Sequence, residues 1–355
     1  MKSFATDSLE ALPLTHLLVR STSRLHEYRG REQLYRQQAP QALKTLREVA
    51  VIQSTESSNR IEGVEATPAR LKAIMKDKTA PQNRSEQAIA GYRDVLNTIH
   101  AHHADMSVTP NVVLQLHRDL FTYMDVQGGT WKPTNNRITQ RHPDGQELVR
   151  FEPVPAFQTA DYMDHLHERL HALWQKGEVD KLFIIAAYVL DFLCIHPFLD
   201  GNGRMARLLT LLLLYQAGYE VGRYISLERV IEKSRESYYD SLYKSSQGWH
   251  EAQHTLQPWT EYLLGVLLAA YGEFEERVGT LRLRRGAKTE RVINAVERLP
   301  DGFKTRDVER LCPSVSRSLI RKVFRELKEE GKIEAEGRGP AAVWRKLRDI
   351  SQTEE

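Results

Sequence analysis

Residues 196–207 hold an imidazole, a carboxylate, two glycines around an asparagine and two arginines. An apolar run at residues 208–215 follows directly and predicts a buried helix. Gly201, Asn202 and Gly203 would then lie at the N-terminus of that helix. Free backbone N–H groups and the positive end of the helix dipole attract anions there. The segment therefore predicts phosphate chemistry.

Four side chains of this segment could carry that chemistry. His196 is a candidate general base, because an unperturbed imidazole titrates near neutral pH. Asp200 could hold Mg²⁺ through one carboxylate, with phosphate oxygens and water as the other ligands, and it could also cap the helix. Arg204 and Arg207 share one helix face, where two guanidinium groups could bind two phosphates of one nucleotide.

Composition places these residues in an ordinary soluble protein. The chain has 355 residues, 41% hydrophobic and 27% charged, which is enough for two or three domains. A net charge of +3 creates no overall field that would attract nucleic acid or a membrane surface. No signal peptide is recognisable, and residues 208–215 are too few to cross a bilayer. Cys194 and Cys312 lie in apolar helical contexts and are expected to be reduced, which favours a cytoplasmic location.

The elements that must position the segment are mainly helical. Helical patterns cover residues 1–40, 41–61, a stretch opened by Thr67-Pro68, and residues 85–103, 109–123, 159–176, 180–195, 208–217, 234–245 and 258–285. Glycines and prolines interrupt the pattern at residues 128–155. The turn sequence Pro143-Asp144-Gly145 separates two short extended stretches there and predicts a β-hairpin.

A different pattern begins near residue 288. Helices are expected at residues 289–298, 305–311 and 316–330, and two strands within residues 332–336 and 342–347, which is a winged-helix order. Helix 316–330 would carry Arg317, Arg321, Lys322 and Arg325, and the wing would carry Arg338, Arg345 and Lys346. Such a domain binds DNA through phosphate contacts and groove entry, or serves as a protein-interaction module; both readings stay open here.

The stretch His196-Pro-Phe-Leu-Asp-Gly-Asn-Gly-Arg-Met-Ala-Arg207 resembles the signature of the Fic family, and every fixed position matches. Residues 129–155 resemble the flap that precedes the signature in that family. The resemblance extends over roughly residues 40–285. It implies a mainly α fold, with a helical Fic core and a β-hairpin flap, followed in this chain by the small α+β winged-helix domain.

The resemblance also implies a domain division and an activity. An N-terminal helical region would cover residues 1–105, the catalytic core residues 106–285 and the winged-helix domain residues 286–348. The implied activity is transfer of AMP from ATP to a Ser, Thr or Tyr hydroxyl of a target protein, with His196 as the base and Mg²⁺ on Asp200. The implied nucleotide-binding residues are Gly201, Asn202, Gly203, Arg204, Met205, Ala206, Arg207, Tyr238, Tyr239 and Ser246.

Base specificity is less defined by the resemblance than the phosphate chemistry. Some Fic relatives have an asparagine that reads adenine where this chain has Ser246, and serine is shorter. Other relatives transfer UMP or GMP. A nucleotide other than ATP therefore stays an alternative, as does a DNA-binding regulator whose core only senses nucleotide.

A second motif implies inhibition. Ser58, Glu62 and Gly63, at the end of a predicted helix over residues 41–63, resemble the inhibitory motif that some Fic proteins carry on the N-terminal side of the core. In those proteins the glutamate pairs with the second signature arginine, here Arg207. The pair would deny Arg207 to the γ-phosphate, so self-modification and target modification would be restrained. In some relatives the same glutamate helps water to remove AMP.

The long helices are also compatible with a homodimer.

Overall fold

The structure is a computed structural model that describes residues 2–4, 9, 12–38, 40–76, 79–141, 147–313, 315–337 and 342–347. These residues are mainly helical, as predicted. Contacts divide the chain into two compact units, residues 1–275 and 276–355, ten residues before the predicted domain boundary at 285. Among the described helices, none combines the length and the apolar composition that crossing a bilayer requires.

The first unit is built from helices around one β-hairpin. Its helices are α1 (His16–Gln38), α2 (Pro40–Ile61), α3 (Pro68–Met75), α4 (Arg84–His102), α5 (Pro110–Leu120), α6 (Thr159–Lys176), α7 (Lys181–Ile195), α8 (Asn202–Gln216), α9 (Leu227–Lys233), α10 (Arg235–Ser246) and the first part of α11 (Gln257–Arg298). Single 3₁₀ turns lie at Ala156–Gln158 and Val221–Arg223. The hairpin pairs β1 (Ile138–Arg141) with β2 (Glu147–Phe151).

Helices α7 and α8 form the centre of this unit. Nearly every residue of α7 is buried, which explains why its sequence is apolar apart from Lys181 at its start and the buried Asp191. The Asp180 carboxylate caps the helix by accepting from the Leu182 N–H at 2.8 Å. α8 begins at Asn202, before the predicted start at Leu208, because residues 204–207 are good helix formers and Gly201 supplies the turn into the helix.

Helix α2 brings the predicted inhibitory motif to the core. It packs against α4 and α9, and the Arg60 Nε lies 2.8 Å from the Glu232 carboxylate on α9. Gly63 has a φ of 75°, the left-handed conformation that ends helices, and the Val64 N–H donates to the Asn59 carbonyl at 2.9 Å. The chain therefore turns away directly after Glu62.

The predicted hairpin is present as two antiparallel strands with a register shift between Ile138 and Thr139. Its predicted turn, Pro143-Asp144-Gly145, lies outside the described residues. The Arg150 guanidinium lies 4.2 Å from the centre of the Tyr243 ring, so β2 contacts α10.

The second unit contains the end of α11, α12 (Thr305–Leu311), α13 (Arg317–Glu329) and a three-stranded antiparallel sheet. The strands β3 (Phe303–Lys304), β4 (Ile333–Glu336) and β5 (Val343–Lys346) lie in the order β3-β5-β4. Their core includes Val296, Ile320 and Phe324. Prediction missed β3, which has only two residues. It also wrongly separated residues 258–285 from 289–298, which form one helix; Gly286 between them costs only about 1 kcal/mol in a helix.

Candidate functional site

His196 lies where α7 stops. Its φ is 51°, a left-handed conformation that is rare for a residue with a side chain. The imidazole Nδ1 lies 3.2 Å from the Leu193 carbonyl, an acceptor, so Nδ1 carries the proton and Nε2 keeps its lone pair. Burial lowers the pKa of His196 to about 4. The ring is therefore neutral at neutral pH, the state in which Nε2 can accept a proton.

Asn202 closes the loop between His196 and α8. Its side-chain oxygen accepts from the Phe198 N–H at 2.9 Å, and its amide nitrogen donates to the Phe198 carbonyl at 2.7 Å. The side chain is 3% exposed, so it is committed to the loop and leaves only its backbone N–H for a ligand. Gly201 has a φ of 83° and lies against the Phe121 ring, so a side chain there would be strained and would also meet that ring.

The N-terminus of α8 faces a buried guanidinium that has unused donors. Arg204 is 3% exposed, yet its Nε and Nη1 have no hydrogen-bond partner among the described residues. Its Nη2 lies 3.5 Å from an Asp200 oxygen, and the Phe121 ring centre is 5.5 Å away. Buried donors in proteins are nearly always satisfied. Unsatisfied donors beside a helix N-terminus therefore make this position a candidate anion site.

Asp200 is the acidic residue of the site. Its side chain is 55% exposed, and one oxygen accepts from the Gly201 N–H at 2.6 Å. The other oxygen lies 3.7 Å from Arg84. No group of three potential metal-ligating side chains exists in the described part of the chain. One exposed carboxylate suits Mg²⁺, which takes most of its ligands from phosphate and water, and does not suit a metal held by protein ligands alone.

His117, on α5, supports the loop and was missed by prediction. Its Nδ1 accepts from the Gly129 N–H at 2.9 Å, so the proton is on Nε2, which donates to the Asp200 carbonyl at 3.1 Å. The imidazole stacks on the Phe198 ring at 3.6 Å between centres. Burial lowers the pKa of His117 to about 4, so this neutral tautomer persists at neutral pH. Nothing in the linear pattern of α5 distinguishes this histidine from a packing residue.

The residues of the predicted inhibitory motif contact Arg207. A Glu62 oxygen lies 2.7 Å from the Arg207 Nη2. Ser58 accepts twice, at its hydroxyl from Nε at 2.8 Å and at its carbonyl from Nη2 at 2.9 Å. Burial acts to lower the pKa of Arg207, but the charge of Glu62 raises it above its ordinary value. The Glu62 carboxylate also lies against Gly203, where a side chain would collide with it.

The predicted base-binding residues are divided between exposed and buried positions. Tyr238 is buried near the charge of Arg207, whereas Tyr239 is 41% exposed. The Ser246 hydroxyl donates to the Tyr243 carbonyl at 3.0 Å. Two side chains of the signature, those of Met205 and Ala206, are buried in the core and are at most 1% exposed. A nucleotide could therefore meet residues 205 and 206 only through their backbone.

Comparison with known proteins places these residues in context. Residues 107–214 match the model of the Fic/DOC family. Two curated relatives called "Protein adenylyltransferase Fic" are each 29% identical to the chain. The one from Drosophila willistoni aligns over 192 residues, 51% of this chain and 35% of the relative, and the one from Culex quinquefasciatus over 218 residues, 58% and 39%. The chain thus spans little more than a third of the length of these relatives.

Two solved structures resemble the fold. A Fic family protein from Desulfovibrio desulfuricans G20 superposes with a TM-score of 0.62 at 21% identity, covering 96% of this chain and 98% of that protein. Fic-1 from C. elegans superposes with a TM-score of 0.55 at 20% identity, covering 75% and 73%. At these identities the likeness concerns the fold.

Proposed function

We propose, since residues 107–214 match the Fic/DOC family model, that this chain is a protein adenylyltransferase that transfers AMP from ATP to a Ser, Thr or Tyr hydroxyl of a target protein. One observation carries the proposal. A neutral imidazole with a free Nε2 stands in the same loop as a helix N-terminus and a buried guanidinium with unused donors. A base beside an anion site is the arrangement that phosphoryl transfer to a hydroxyl requires.

The chemical step assigns one role to each group. His196 Nε2 takes the proton of the target hydroxyl while the hydroxyl oxygen forms a bond to the α-phosphorus. The bond from that phosphorus to the bridging oxygen breaks, and pyrophosphate leaves with the bonding electrons. Arg204 and the N–H groups of Gly201, Asn202 and Gly203 hold the phosphates. They stabilise charge as it moves toward the leaving group.

Mg²⁺ fits this site through Asp200. The carboxylate is exposed and faces the same helix N-terminus as the phosphates would. Bound there, the ion would neutralise part of the charge of the triphosphate. The Asp200 carbonyl is held by His117, which keeps the carboxylate-bearing loop in place.

We further propose that Glu62 keeps the enzyme inhibited. Arg207 is the cation expected to hold the γ-phosphate, and Glu62 and Ser58 bind two of its three guanidinium nitrogens, Nε and Nη2. A triphosphate would then bind without its outer anchor, and a misplaced α-phosphorus slows transfer. Removal of AMP from modified targets through a water held by the same carboxylate is a further prediction.

The test is incubation of the Glu62→Gly chain with α-labelled ATP, Mg²⁺ and cell lysate, followed by identification of labelled proteins. Competition with unlabelled UTP and GTP reports base specificity, for which Tyr238, Tyr239 and Ser246 are the candidates. Label on protein that ATP competes away supports the proposal. Tight nucleotide binding without any transfer would favour the nucleotide-sensing alternative.

DNA binding by a winged helix in the second unit is a second candidate function, supported by one face of α13. Arg317, Arg321, Lys322 and Arg325 are exposed on it, while Ile320, Val323 and Phe324 face the core. Arg317 pairs with Glu309 at 2.8 Å and Lys322 with Glu326 at 3.5 Å. The wing residue Arg338 lies outside the described residues. Duplex affinity that falls steeply with salt, and that Arg321→Glu weakens, would support it.

Location and assembly complete the proposal. Both cysteines of the chain, Cys194 and Cys312, are free and buried, which agrees with the prediction that they are reduced and supports a cytoplasmic location. Homodimer formation stays a prediction, and light scattering of the purified chain would test it.

A further inference from the structure

Lys132 is a buried cation at the base of the flap. It is 3% exposed, and no carboxylate in the described part of the chain forms an ion pair with it. Its Nζ donates instead to the Asn136 side-chain oxygen at 2.8 Å and to the Ile195 carbonyl at 3.0 Å. Burial lowers the pKa of Lys132 to about 8. An unpaired buried ammonium is costly, so its retention calls for a functional explanation.

Asn136 continues the same set of bonds. Its amide nitrogen donates to the carbonyls of His196 at 3.3 Å and Phe198 at 2.9 Å. The backbone N–H of Lys132 donates to the Pro197 carbonyl at 2.8 Å. Each of the four consecutive carbonyls of residues 195–198 therefore accepts a hydrogen bond from Lys132 or Asn136.

These acceptors have few alternatives. The last carbonyls of a helix lack partners inside the helix and carry its negative partial charge. Of the last four in α7, those of residues 192 and 193 bond to His196 itself, and that of Cys194 accepts from the Val154 N–H of the flap at 3.3 Å. The flap thus satisfies five successive carbonyls, those of residues 194–198. His196, whose left-handed backbone is disfavoured, stands in the middle of them.

We propose that Lys132 and Asn136 are positioning residues for the catalytic histidine, holding the turn at residues 195–198 so that Nε2 faces the target hydroxyl. The inference rests on the proposed transfer activity. It adds that residues of the flap fix the catalytic base. Neither side chain touches the nucleotide or the hydroxyl in this account.

The charge of Lys132 has a second effect on the imidazole. Burial is the main cause of the low pKa of His196, and two charges act on it besides. Lys132 lowers the pKa further from the side of the flap, and Glu62 raises it from the side of α2. Removing the ammonium should therefore raise the pKa of the imidazole.

The test compares Lys132→Met and Asn136→Leu with Arg137→Met, all in the full chain carrying Glu62→Gly. Arg137 is a matched control, because it is a flap cation whose side chain is 68% exposed and which pairs loosely with Glu152 at 3.6 Å. We expect kcat per folded molecule to fall about 100-fold in the first two variants, with KM for ATP changed by less than about threefold. The control should keep the parent's kcat and KM. A purely structural role would lower the yield of folded protein and leave kcat per folded molecule unchanged, which would overturn the proposal.

A titration independent of activity distinguishes failure of this proposal from failure of the proposed function. The carbon NMR shift of the His196 ring is followed against pH in the parent, Lys132→Met and Arg137→Met. We expect the midpoint to rise by on the order of 0.5 pH unit or more in Lys132→Met only. An unchanged midpoint overturns the proposal whether or not the parent transfers AMP. If Lys132→Met does not fold, Lys132→Gln, which keeps a donor without the charge, is measured in the same two ways.

Discussion

Glu62 and Arg207, 145 residues apart in the chain, are joined at 2.7 Å by an ion pair in which the guanidinium is almost fully buried. The contact unites the end of α2 with the first turns of α8. Ser58, one turn before Glu62, accepts from the same guanidinium through its hydroxyl and its carbonyl. The arginine is thus held by two residues of one segment, Ser58 and Glu62.

Replacing Glu62 by glycine should raise self-modification and target labelling about 10- to 100-fold, because Arg207 becomes free to align the triphosphate. The measurement is the initial rate of label incorporation from α-labelled ATP. Glu65→Gly is the matched control, since Glu65 is an exposed acid three residues further on. Equal rates for the unsubstituted chain and the Glu62→Gly chain would contradict an inhibitory role of Glu62.

Replacing His196 by alanine in the Glu62→Gly chain should lower transfer by a factor of about 10² to 10⁴, the usual contribution of a positioned base, while ATP still binds. The exposed His165 on α6, changed to alanine, serves as the control. In the chain that keeps His196, kcat/KM should stay constant down to about pH 5. It should decline as the pH approaches the His196 pKa of about 4, where the base becomes protonated. Transfer by the His196→Ala variant at the rate of the Glu62→Gly chain would contradict the role of His196 as the base.

Changing Arg204 to methionine should separate binding from stability. The substitution removes a buried cation with two unsatisfied donors, so the free energy of unfolding should stay constant or increase. ATP affinity should fall at least about 10-fold, because a charge-assisted contact to phosphate is lost. Calorimetric titration with ATP and urea unfolding measure the two quantities. Arg84→Met, at an 80% exposed side chain beside the same aspartate, is the control; parallel losses of stability and affinity in Arg204→Met would refute the anion site.

The start of α4 provides a pH test of stability. Arg70 bonds to Glu86 at 2.7 and 2.9 Å, and this hydrogen bonding lowers the pKa of Glu86 from its ordinary 4.5 to about 2. Since the folded pKa is lower than the unfolded one, the stabilisation is fully present above about pH 4.5 and is lost as pH falls toward 2. In urea unfolding, Glu86→Gln should therefore be less stable than the parent at pH 7, with a difference that shrinks toward pH 3. A difference that does not vary with pH would show that the carboxylate charge contributes nothing.

Local chemistry was readable from the sequence where neighbouring residues carry it. The glycines, the helix start and both arginines lie within one short segment, so their common site could be predicted. The role of Asn202 could not be predicted, because the two hydrogen bonds by which it closes the loop depend on where the fold places Phe198. His117 reaches the loop from 83 residues away, and no spacing encodes that contact. In the sequence, Lys132 is indistinguishable from an ordinary solvent-exposed lysine of the flap. Only its burial against α7 distinguishes it.

In the proposed inhibition, the location of Glu62 at the tip of α2 lets the packing of this helix control the triphosphate site. This helix packs on α4 and α9, and the Arg60–Glu232 contact fastens it there. Under that proposal, a protein that displaces α2 from α4 and α9 would free Arg207 to bind the γ-phosphate without itself contacting the nucleotide. Thermodynamic reciprocity then requires that bound nucleotide raise the affinity of the chain for that protein by the same factor.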